Sequence, residues 1–313
     1  MSNTILLKSW WFNIGDGFVK LGAEHLLGNL FGAHTIFPVS ALGANKFSML
    51  PRNSYMPNFP SLLDALEGST ERIVLAGCVL NDRLGIVADK IEQMRHRPKI
   101  IFLGAGARNY DGATIAVVGD ILKRLRPDLL VTRDSSALEH FGEFFRHARQ
   151  GIDCAYWVSD AVPALPCRKD YQIRTFNRMA DPGSGDEPVL RLNHNPFRLT
   201  VEPNGRVLRR ALYHLAKRSN PVVKSSEFIS DDISEYLRLY SSAREVHTDM
   251  VHATVASAAY GTPVRMYYRT PRQEVITSVL GESVLESLTS VDMVALRARK
   301  ADETRVLSEF LER

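Results

Sequence analysis

The stretch KIIFLGAGARNYDGATIAVVGDILKRLRPDLLVT, residues 99–132, decides the fold class. It begins with a short apolar run, Lys99–Leu103, and ends with another, Asp128–Thr132, while Thr114–Leu125 between them has apolar residues at helical spacing. Short runs rich in Ile, Leu and Val are typical of buried parallel strands. A strand, a helix and a second strand in this order form a right-handed crossover. The stretch therefore predicts one unit of an α/β fold with a parallel sheet.

The same alternation of apolar runs and helical patterns extends over the first half of the chain. The predicted strands of this half are Thr4–Trp10, Thr35–Val39, Arg72–Cys78, Lys99–Leu103, Asp128–Thr132 and Cys154–Val158. The predicted helices are Gly17–Leu30, Leu62–Leu66, Leu84–Arg95, Thr114–Leu125 and Ser136–Arg149. We therefore expect one parallel sheet with helices packed against it.

The second half repeats this order more weakly. Pro163–Asp186, with its prolines, charges and the run DPGSGDE, predicts a loop or linker. The tail Ser290–Arg313 predicts one or two polar amphipathic helices, so we expect a second, smaller α/β domain followed by a helical tail. The predicted strands here are Val189–Asn193, Pro221–Ser225, Arg244–Thr248 and Val264–Tyr268. The predicted helices are Gly205–Arg218, Ser230–Tyr240, Asp249–Tyr260 and Arg272–Leu280.

Composition indicates an ordinary globular protein. Of the 313 residues, 45% are apolar and 24% are charged, which argues against a disordered, collagen-like or disulfide-rich chain. The net charge of +4 is too small to indicate a nucleic-acid partner. Residues 168–224, however, carry 12 Lys and Arg against 5 Asp and Glu. This basic segment favours an anionic ligand, a phosphorylated carrier or an acidic membrane surface, and a solvated basic face is the alternative.

Cysteine content and hydropathy bear on location. The three cysteines, Cys78, Cys154 and Cys167, give no paired framework and fit a reducing compartment. No CxxC occurs, so no zinc site of that type is expected. The N-terminus lacks the pattern of a signal peptide, and no stretch has the roughly 18 apolar residues that span a bilayer. We expect a soluble, cytoplasmic protein.

The first strand is followed by a glycine-containing loop, Asn13-Ile14-Gly15-Asp16-Gly17, and then directly by a helix. Ligands of parallel sheets bind outside the carboxyl ends of the strands, so this loop is a candidate site. Glycines permit close approach of the backbone to a ligand, and the first N–H groups of a helix can bind an anion. A turn with Asp16 as the helix N-cap is the structural alternative, and both can hold together.

Two later strand ends carry arginines. The small residues after Leu103 permit a close backbone approach, for which turn geometry is a sufficient reason, and Arg108 follows them. Arg133 follows the next strand, where its guanidinium can bind a carboxylate or phosphate in bidentate fashion. An Arg133–Asp134 pair that braces the loop is the alternative. Asp134 or Ser136 could cap the helix that comes next.

The segment REVHTDMVH, residues 244–252, predicts a strand that ends near Thr248 and a helix capped by Asp249. His252 would then lie in the first turn, where the positive end of the helix disfavours imidazolium. A histidine held partly neutral near pH 7 suits proton transfer. A buried structural histidine, bonded to the backbone, is the alternative.

Three elements in order along the chain resemble the polysaccharide pyruvyl transferase family. An early strand ends in an N-x-G-D loop, here Asn13-Ile14-Gly15-Asp16. A turn of the R-D-x-x-S type follows later, here Arg133-Asp134-Ser135-Ser136. An element similar to T-D-R-L-H, here Thr248-Asp249-Met250-Val251-His252, is followed by a small-residue helix and by Gly261-Thr262-Pro263 as G-x-P. Together the elements span most of the chain.

The resemblance implies two Rossmann-like domains that face each other across a cleft, as in GT-B glycosyltransferases. We place an acceptor-binding domain at residues 1–165 and a donor-binding domain with the helical tail at residues 166–313. The resemblance also implies transfer of pyruvate from phosphoenolpyruvate to two hydroxyls of one sugar, which gives a cyclic ketal and releases phosphate. No cofactor and no metal are expected. A lipid-linked saccharide acceptor and a peripheral membrane contact through residues 168–224 are left open.

The resemblance also suggests roles for individual residues. His252 is the hypothetical general acid and base, and Asp16 orients the acceptor hydroxyl or acts as a second base. Asn13 and Gly15 would line the cleft opposite His252. The remaining substrate-binding candidates are Arg108, Arg133, Asp134, Ser136, Arg244 and His247, of which the arginines at 133 and 244 would hold the donor's anionic groups.

One departure from the family pattern is visible. The family commonly has an arginine two residues before the histidine, and this chain has Met250. Arg244, Arg265 or a residue of the basic segment could replace the missing charge.

Two other functions are left open. A glycosyltransferase with a nucleotide-sugar donor can have the same two-domain shape, and Glu245 and Asp249 lie where an acidic residue could hold a ribose. Met250 would also suit a non-catalytic protein that binds a glycan or assists a synthesis complex. Binding of a nucleotide diphosphate but not phosphoenolpyruvate would favour the first. Glycan binding without phosphate release would favour the second.

Overall fold

Two parallel sheets form the framework of the protein. The computed structural model describes residues 3–8, 14–32, 36–40, 70–166, 170–183, 188–194, 227–228, 230 and 232–311. Every pairing between the strands of these residues is parallel, which confirms the predicted α/β class. Three predicted elements lie outside the described residues: Leu62–Leu66, Gly205–Arg218 and Pro221–Ser225.

The first sheet has the strand order β2-β1-β3-β5-β6-β7, and β4 pairs with β5 beside this path. Its strands are β1 Asn3–Lys8, β2 Ile36–Ser40, β3 Thr70–Ala76, β4 Val79–Leu80, β5 Lys99–Ala107, β6 Leu129–Thr132 and β7 His147–Gln150. The central strands β5 and β6 are buried almost throughout, as their Ile- and Leu-rich sequences require.

The second sheet has the order β10-β9-β8-β11-β12. Its strands are β8 Gln172–Thr175, β9 Val189–Leu192, β10 Glu227–Phe228, β11 Glu245–Thr248 and β12 Val264–Met266. The order reverses between β8 and β11, which are hydrogen-bonded neighbours. A crevice for a ligand forms at such a reversal, outside the carboxyl ends of the two strands.

Helices connect the strands of both sheets. They are α1 Ile14–Phe31, α2 Leu84–Glu92, α3 Gly112–Leu125, α4 Ser135–Phe141, α5 Val158–Ala161, α6 Ile233–Ser242, α7 Val251–Ala259, α8 Glu274–Leu280 and α9 Met293–Leu311. Carboxylates cap several of them: Asp111 accepts the N–H of Thr114 at the start of α3, and Asp232 accepts the N–H of Ser234 at the start of α6.

Two predictions near the end of the first sheet are wrong. The predicted helix Ser136–Arg149 stops at Phe141, and His147–Gln150 forms strand β7 instead. The predicted strand Cys154–Val158 is a 3₁₀ turn at Cys154–Trp157 that continues into α5. Its side chains are apolar because the turn is buried in the core, and the carboxylate of Asp153 caps it through the N–H of Ala155.

The predicted linker Pro163–Asp186 contains β8, the middle strand of the second sheet. All four residues of β8 are buried, including Arg174. The guanidinium of Arg174 bonds the carboxylate of Asp181 and stacks on Phe176. A buried, ion-paired arginine interrupts the apolar pattern, which is why that pattern did not reveal the strand.

The two sheets share their hydrophobic core. One continuous cluster runs from Leu6 in β1, through α1 and α7, to Leu307 in α9. The predicted tail is a single helix, α9, and it packs on the first sheet: Arg149 of β7 pairs with Asp302 at 2.5 Å, and the N–H of Ile152 bonds Glu303 at 2.9 Å. The domain division between residues 165 and 166 stays a prediction.

Candidate functional site

The first turn of α1 meets the first turn of α7. The Nε2 atom of His252 lies 3.8 Å from the Oδ1 atom of Asp16. A Cβ atom built on Gly15 would lie 2.2 Å from Cδ2 of the His252 ring, so only glycine permits this close approach. The helix begins at Ile14, which puts Asp16 inside its first turn and corrects the predicted N-cap. The structure thus brings Gly15, Asp16 and His252 together, while Asn13 lies outside the described residues.

His252 is held in its neutral form. The pKa of His252 is lowered to about 4, chiefly by burial; Asp153 raises it, and the positive charges of Arg272, Arg133 and Arg178 lower it. The side chain keeps 15% of its surface exposed, so a ligand in the crevice can reach it. A neutral imidazole at pH 7 can accept a proton, which is the first requirement for a general base.

Four arginines lie within electrostatic range of His252 or of one another: Arg108, Arg133, Arg178 and Arg272. Burial lowers the pKa of Arg272, and repulsion from Arg133, Arg178 and Arg108 lowers it further, while Asp16 acts in the opposite direction. Arg108, Arg178 and Arg272 form no ion pair with a carboxylate of the described residues within 4.0 Å. Positive charges that repel each other and lack carboxylate partners are suited to an anionic ligand. The arrangement is therefore a candidate anion-binding site.

Arg133, predicted to bind a substrate anion or to pair with Asp134, instead forms a buried ion pair with Asp153. Its Nη1 lies 2.8 Å from Asp153 Oδ2, and both side chains are at most 4% exposed. The Nε atom of Arg133 is buried and has no hydrogen-bond partner among the residues that the structure describes. Arg133 therefore has a structural role in this buried ion pair. Its positive charge also lowers the pKa values of His252 and Arg272.

The contacts of Asp134 and of the segment around Ser136 connect parts of the fold to one another. Asp134 caps α4 by accepting the N–H of Ala137 at 2.7 Å, and it also accepts the hydroxyl of Tyr110. Burial raises the pKa of Asp134. Ser136 makes no cap, whereas its neighbour Ser135 donates through N–H and hydroxyl to the carboxylate of Glu274 in α8. That contact fixes the start of α8, and so Arg272 just before it, against the first half of the chain.

Arg244 and His247 are not brought to the Asp16–His252 pair. Arg244 precedes β11 and pairs with Asp170 at 3.0 Å and Glu245 at 3.6 Å. β11 runs away from it toward His252, so four residues of extended chain, about 13 Å, separate Arg244 from the carboxyl edge. The His247 ring is hydrogen-bonded to the Tyr267 hydroxyl at 3.0 Å and contacts Glu245 at 3.3 Å.

Asp249 does not cap α7 as predicted. The N-cap is Met250, which makes no side-chain cap bond, and Asp249 instead accepts N–H groups from the loop after β8. The Met250 sulfur accepts hydrogen bonds from the side-chain amide of Asn177 and from the hydroxyl of Thr175. Position 250 is therefore directed toward the loop that follows β8.

Sequence reasoning missed Arg178 and Arg272. Arg178 follows β8, which had been predicted as linker, so its place after a strand end was not visible. Arg272 follows β12 after a short loop and had been counted as the first residue of a helix. The usable signal was a cation a few residues beyond the carboxyl end of a strand, here β8, which is beside the topological reversal, and β12, which is the neighbour of β11.

The described residues contain no group of three or more His, Cys, Asp or Glu side chains arranged to hold a metal ion. They also contain no helix long and apolar enough to cross a membrane.

Comparisons with known proteins agree with this architecture. A family model described as polysaccharide pyruvyl transferase matches residues 13–271. No curated protein matches the sequence significantly. The structure of MnaA from S. aureus with UDP has a TM-score of 0.50 and 12% identity, over 96% of this chain and 91% of that chain. UDP-GlcNAc 2-epimerase from Neisseria meningitidis, bound to UDP-GlcNAc, has a TM-score of 0.51 and 10% identity, over 99% of both chains. At these identities the likeness is one of fold, and it is GT-B-like.

Proposed function

Since the chain belongs to the polysaccharide pyruvyl transferase family, we propose that it transfers pyruvate from phosphoenolpyruvate to two hydroxyls of one sugar, forming a cyclic ketal. The observation that carries the proposal is the neutral His252 beside Asp16, 3.8 Å away, facing a cluster of arginines. A proton-transfer pair beside an anion-binding cluster is what this reaction needs.

The reaction balances without a cofactor. The methylene carbon of phosphoenolpyruvate gains a proton, and the neighbouring carbon becomes an oxocarbenium-like centre. Two sugar hydroxyls form carbon–oxygen bonds to that centre, and the bond to the phosphate oxygen breaks. One of the two hydroxyl protons balances the proton that the methylene carbon takes up. The other hydroxyl proton leaves with the phosphate, as hydrogen phosphate. The enzyme must therefore hold anions, deprotonate hydroxyls and protonate carbon.

His252 is suited to the proton steps. Being neutral at pH 7, it accepts a proton from a sugar hydroxyl and becomes an imidazolium that can donate a proton in turn. Asp16 stabilises that imidazolium and orients the hydroxyl. General acid–base catalysis of this type contributes about 10²–10⁴-fold to the rate.

The arginines are suited to the donor. Phosphoenolpyruvate carries a carboxylate and a phosphate, and Arg108, Arg178 and Arg272 have no carboxylate partner within 4.0 Å among the described residues. A bound anion would offset the repulsion within the cluster and so favour protonation of His252 when the donor is present. Donor binding and proton transfer would then be coupled through charge.

The acceptor is proposed to be a saccharide that is attached to a lipid carrier. Transfer would take place in the cytoplasm, at the inner face of the membrane. The basic segment 168–224 would supply the contact with anionic headgroups, and this contact should weaken as ionic strength rises.

The test is phosphate release from phosphoenolpyruvate by the purified protein. Acceptors containing galactose, glucose, mannose or glucuronate are offered, and the product is examined by NMR for the ketal carbon. We expect acceptor-dependent release that falls about 10²–10⁴-fold in His252→Ala. His25→Ala is the matched control, because His25 is an α1 surface histidine bonded to Asn29.

Two results would contradict the proposal. If a folded His252→Ala protein keeps most of its activity, the proton-transfer role is wrong. If phosphoenolpyruvate leaves the melting temperature unchanged while a nucleotide diphosphate raises it, a nucleotide-sugar donor replaces the proposed one. A ligand that binds the folded state must stabilise it, so both ligands can be compared on one scale.

A further inference from the structure

Two sets of contacts fix the position of Arg178: stacking of its side chain on Tyr268, and hydrogen bonds from its loop to Asp249. It lies in the loop that follows β8, and its guanidinium carbon is 5.0 Å from the centre of the Tyr268 ring. Tyr268 lies two residues beyond β12 and is 37% exposed. Among the described residues, the Arg178 side chain forms this stacking contact and no side-chain hydrogen bond or ion pair. A guanidinium stacked on a ring keeps its in-plane N–H groups free for a ligand.

The second set of contacts is made by the carboxylate of Asp249, which is 1% exposed. It accepts the backbone N–H groups of Asn177 at 3.0 Å, Arg178 at 2.5 Å and Met179 at 2.9 Å. Three N–H donors to one buried carboxylate fix the loop that carries Arg178. Asp249 stands three residues before His252, so the segment that presents the histidine also fixes the loop that presents the arginine.

We infer that Asp249 and Tyr268 are positioning residues that pre-organise Arg178 to bind an oxyanion of the substrate, a carboxylate or a phosphate. The guanidinium presents two parallel N–H groups to two oxygens, and its orientation is set before the ligand arrives. Arg178 is also among the positive charges that lower the pKa of His252, so the two side chains lie within electrostatic range of each other.

The oxyanion has two possible sources, and this is where the inference rests on the proposed function. The donor carries a carboxylate and a phosphate. A saccharide acceptor could carry a uronate carboxylate or the phosphate that links it to a carrier. The Michaelis constants for donor and acceptor, measured separately, distinguish the two sources.

The first experiment compares Arg178→Met, Arg178→Lys and Arg269→Met. Arg269 is the matched control, since it follows Tyr268, is exposed and faces Glu286 at 3.9 Å. We expect Arg178→Met to raise the KM of the substrate that carries the oxyanion about 10- to 100-fold, with Arg178→Lys in between and Arg269→Met unchanged. Calorimetry with phosphoenolpyruvate and with inorganic phosphate gives the same comparison without turnover.

The second experiment tests the positioning role with Asp249→Asn, Tyr268→Leu and their double variants with Arg178→Met. Each single change should raise the same KM about tenfold, and neither should add to the effect of Arg178→Met. A merely structural role for Asp249 would lower the melting temperature and give additive effects. Tyr268→Leu keeps the test open if Asp249→Asn does not fold, because Tyr268 is partly exposed.

The outcomes separate the inference from the proposed function. Equal KM values and equal calorimetric affinities for Arg178→Met and the native protein would overturn the inference, whichever reaction the enzyme performs. Binding of phosphoenolpyruvate that depends on Arg178, without any turnover, would support the inference and count against the proposed function. Binding of none of these anions by the native protein would overturn the inference as well.

Discussion

The side chains of Asp16 and His252, 236 positions apart in the sequence, meet across the two helical first turns with 3.8 Å between Oδ1 and Nε2. The contact joins the helix that follows the first strand of one sheet to the helix that follows β11 of the other. At this contact the two halves of the molecule both contribute to the candidate site.

Replacing Asp16 should separate its electrostatic role from its place in the fold. We expect Asp16→Asn to lower kcat about 10²-fold with little change in melting temperature, because the amide cannot stabilise an imidazolium at His252. Steady-state kinetics and a thermal melt measure the two effects. Glu24→Gln is the control, since Glu24 is a surface acid of the same helix that pairs with Lys20 at 3.4 Å. Equal losses in both variants would rule out a specific role for Asp16.

Gly15→Ala should damage the site by displacing His252. The added Cβ would lie 2.2 Å from the imidazole ring, so either the ring or α1 must move. We expect activity to fall at least about tenfold and stability to drop by about 1–3 kcal/mol. Gly112→Ala, at the first residue of α3, is the control because its Cβ would meet nothing within 4 Å. A Gly15→Ala protein as active and stable as that control would contradict the observed packing.

Removing Arg272 should change the titration of His252. Arg272 carries the first of the positive charges that lower the pKa of His252 to about 4, so Arg272→Met should raise that pKa. NMR titration of the imidazole, assigned by comparison with His252→Asn, measures it directly. The same variant should lose about 10- to 100-fold in kcat/KM for the donor, because one positive charge of the site is gone. An unchanged His252 titration would mean that the two charges do not face each other.

The contribution of Glu303 in α9 to stability should be lost as pH rises from about 4.5 to about 8, and below about pH 6.5 the buried His194 and His252 act in the opposite direction. Burial raises the pKa of Glu303 to about 8, opposed by the Ile152 N–H and by Arg149 and Arg299, whereas Asp153 adds to the rise. The folded protein therefore binds a proton over this range that the unfolded chain has released. Stability is lost at up to about 1.4 kcal/mol per pH unit.

Glu303→Gln should flatten that slope while keeping an acceptor for the Ile152 N–H. Denaturant unfolding at a series of pH values measures the slope, with Glu309→Gln as the control because Glu309 is exposed and paired with Arg305. A slope that is the same in the native protein and in Glu303→Gln would show that another group causes it.

Acid should destabilise the protein through its buried histidines. Burial lowers the pKa of His194 to about 3 and that of His252 to about 4, so each binds a proton in the unfolded chain before it can in the folded one. The contribution of these two histidines to stability should be fully present above about pH 6.5 and should be lost as the pH drops toward 4 and 3. His194→Gln should remove part of this loss in denaturant unfolding at pH 4 to 7. An acid limb that persists unchanged in this variant would remove His194 as its source.

The sequence predicted which residues lie close together where a strand end is followed directly by a helix. Gly15, Asp16 and His252 lie in such positions, because the carboxyl edge of a parallel sheet brings successive helix starts into one crevice. The prediction is less successful where a side chain has a distant partner. Arg133 pairs with Asp153, in a turn that had been predicted as a strand, and no local pattern reveals that pairing.

Arg178 and Arg244 also show that a local pattern does not predict which side chains reach the site: the first was missed, and the second was predicted there but lies elsewhere. Arg178 was missed because the buried, ion-paired Arg174 disguised the strand before it. Arg244 was predicted to hold a donor anion, and it is close to His252 in sequence. It precedes β11, however, whereas the crevice lies beyond the carboxyl end of that strand. Strand direction decides which neighbours in sequence reach the same edge, and a local motif does not contain that information.

The bond between the Ile152 N–H and Glu303 spans 151 positions of the chain, which has a consequence for the newly made protein. As a ribosome adds about 5–20 residues per second, roughly 8–30 s pass between synthesis of the edge of the first sheet and synthesis of the helix that covers it. During that interval the turn that holds the Arg133–Asp153 pair lacks its covering helix. The emerging chain therefore depends on α9 to cover a part of the candidate site that was made earlier.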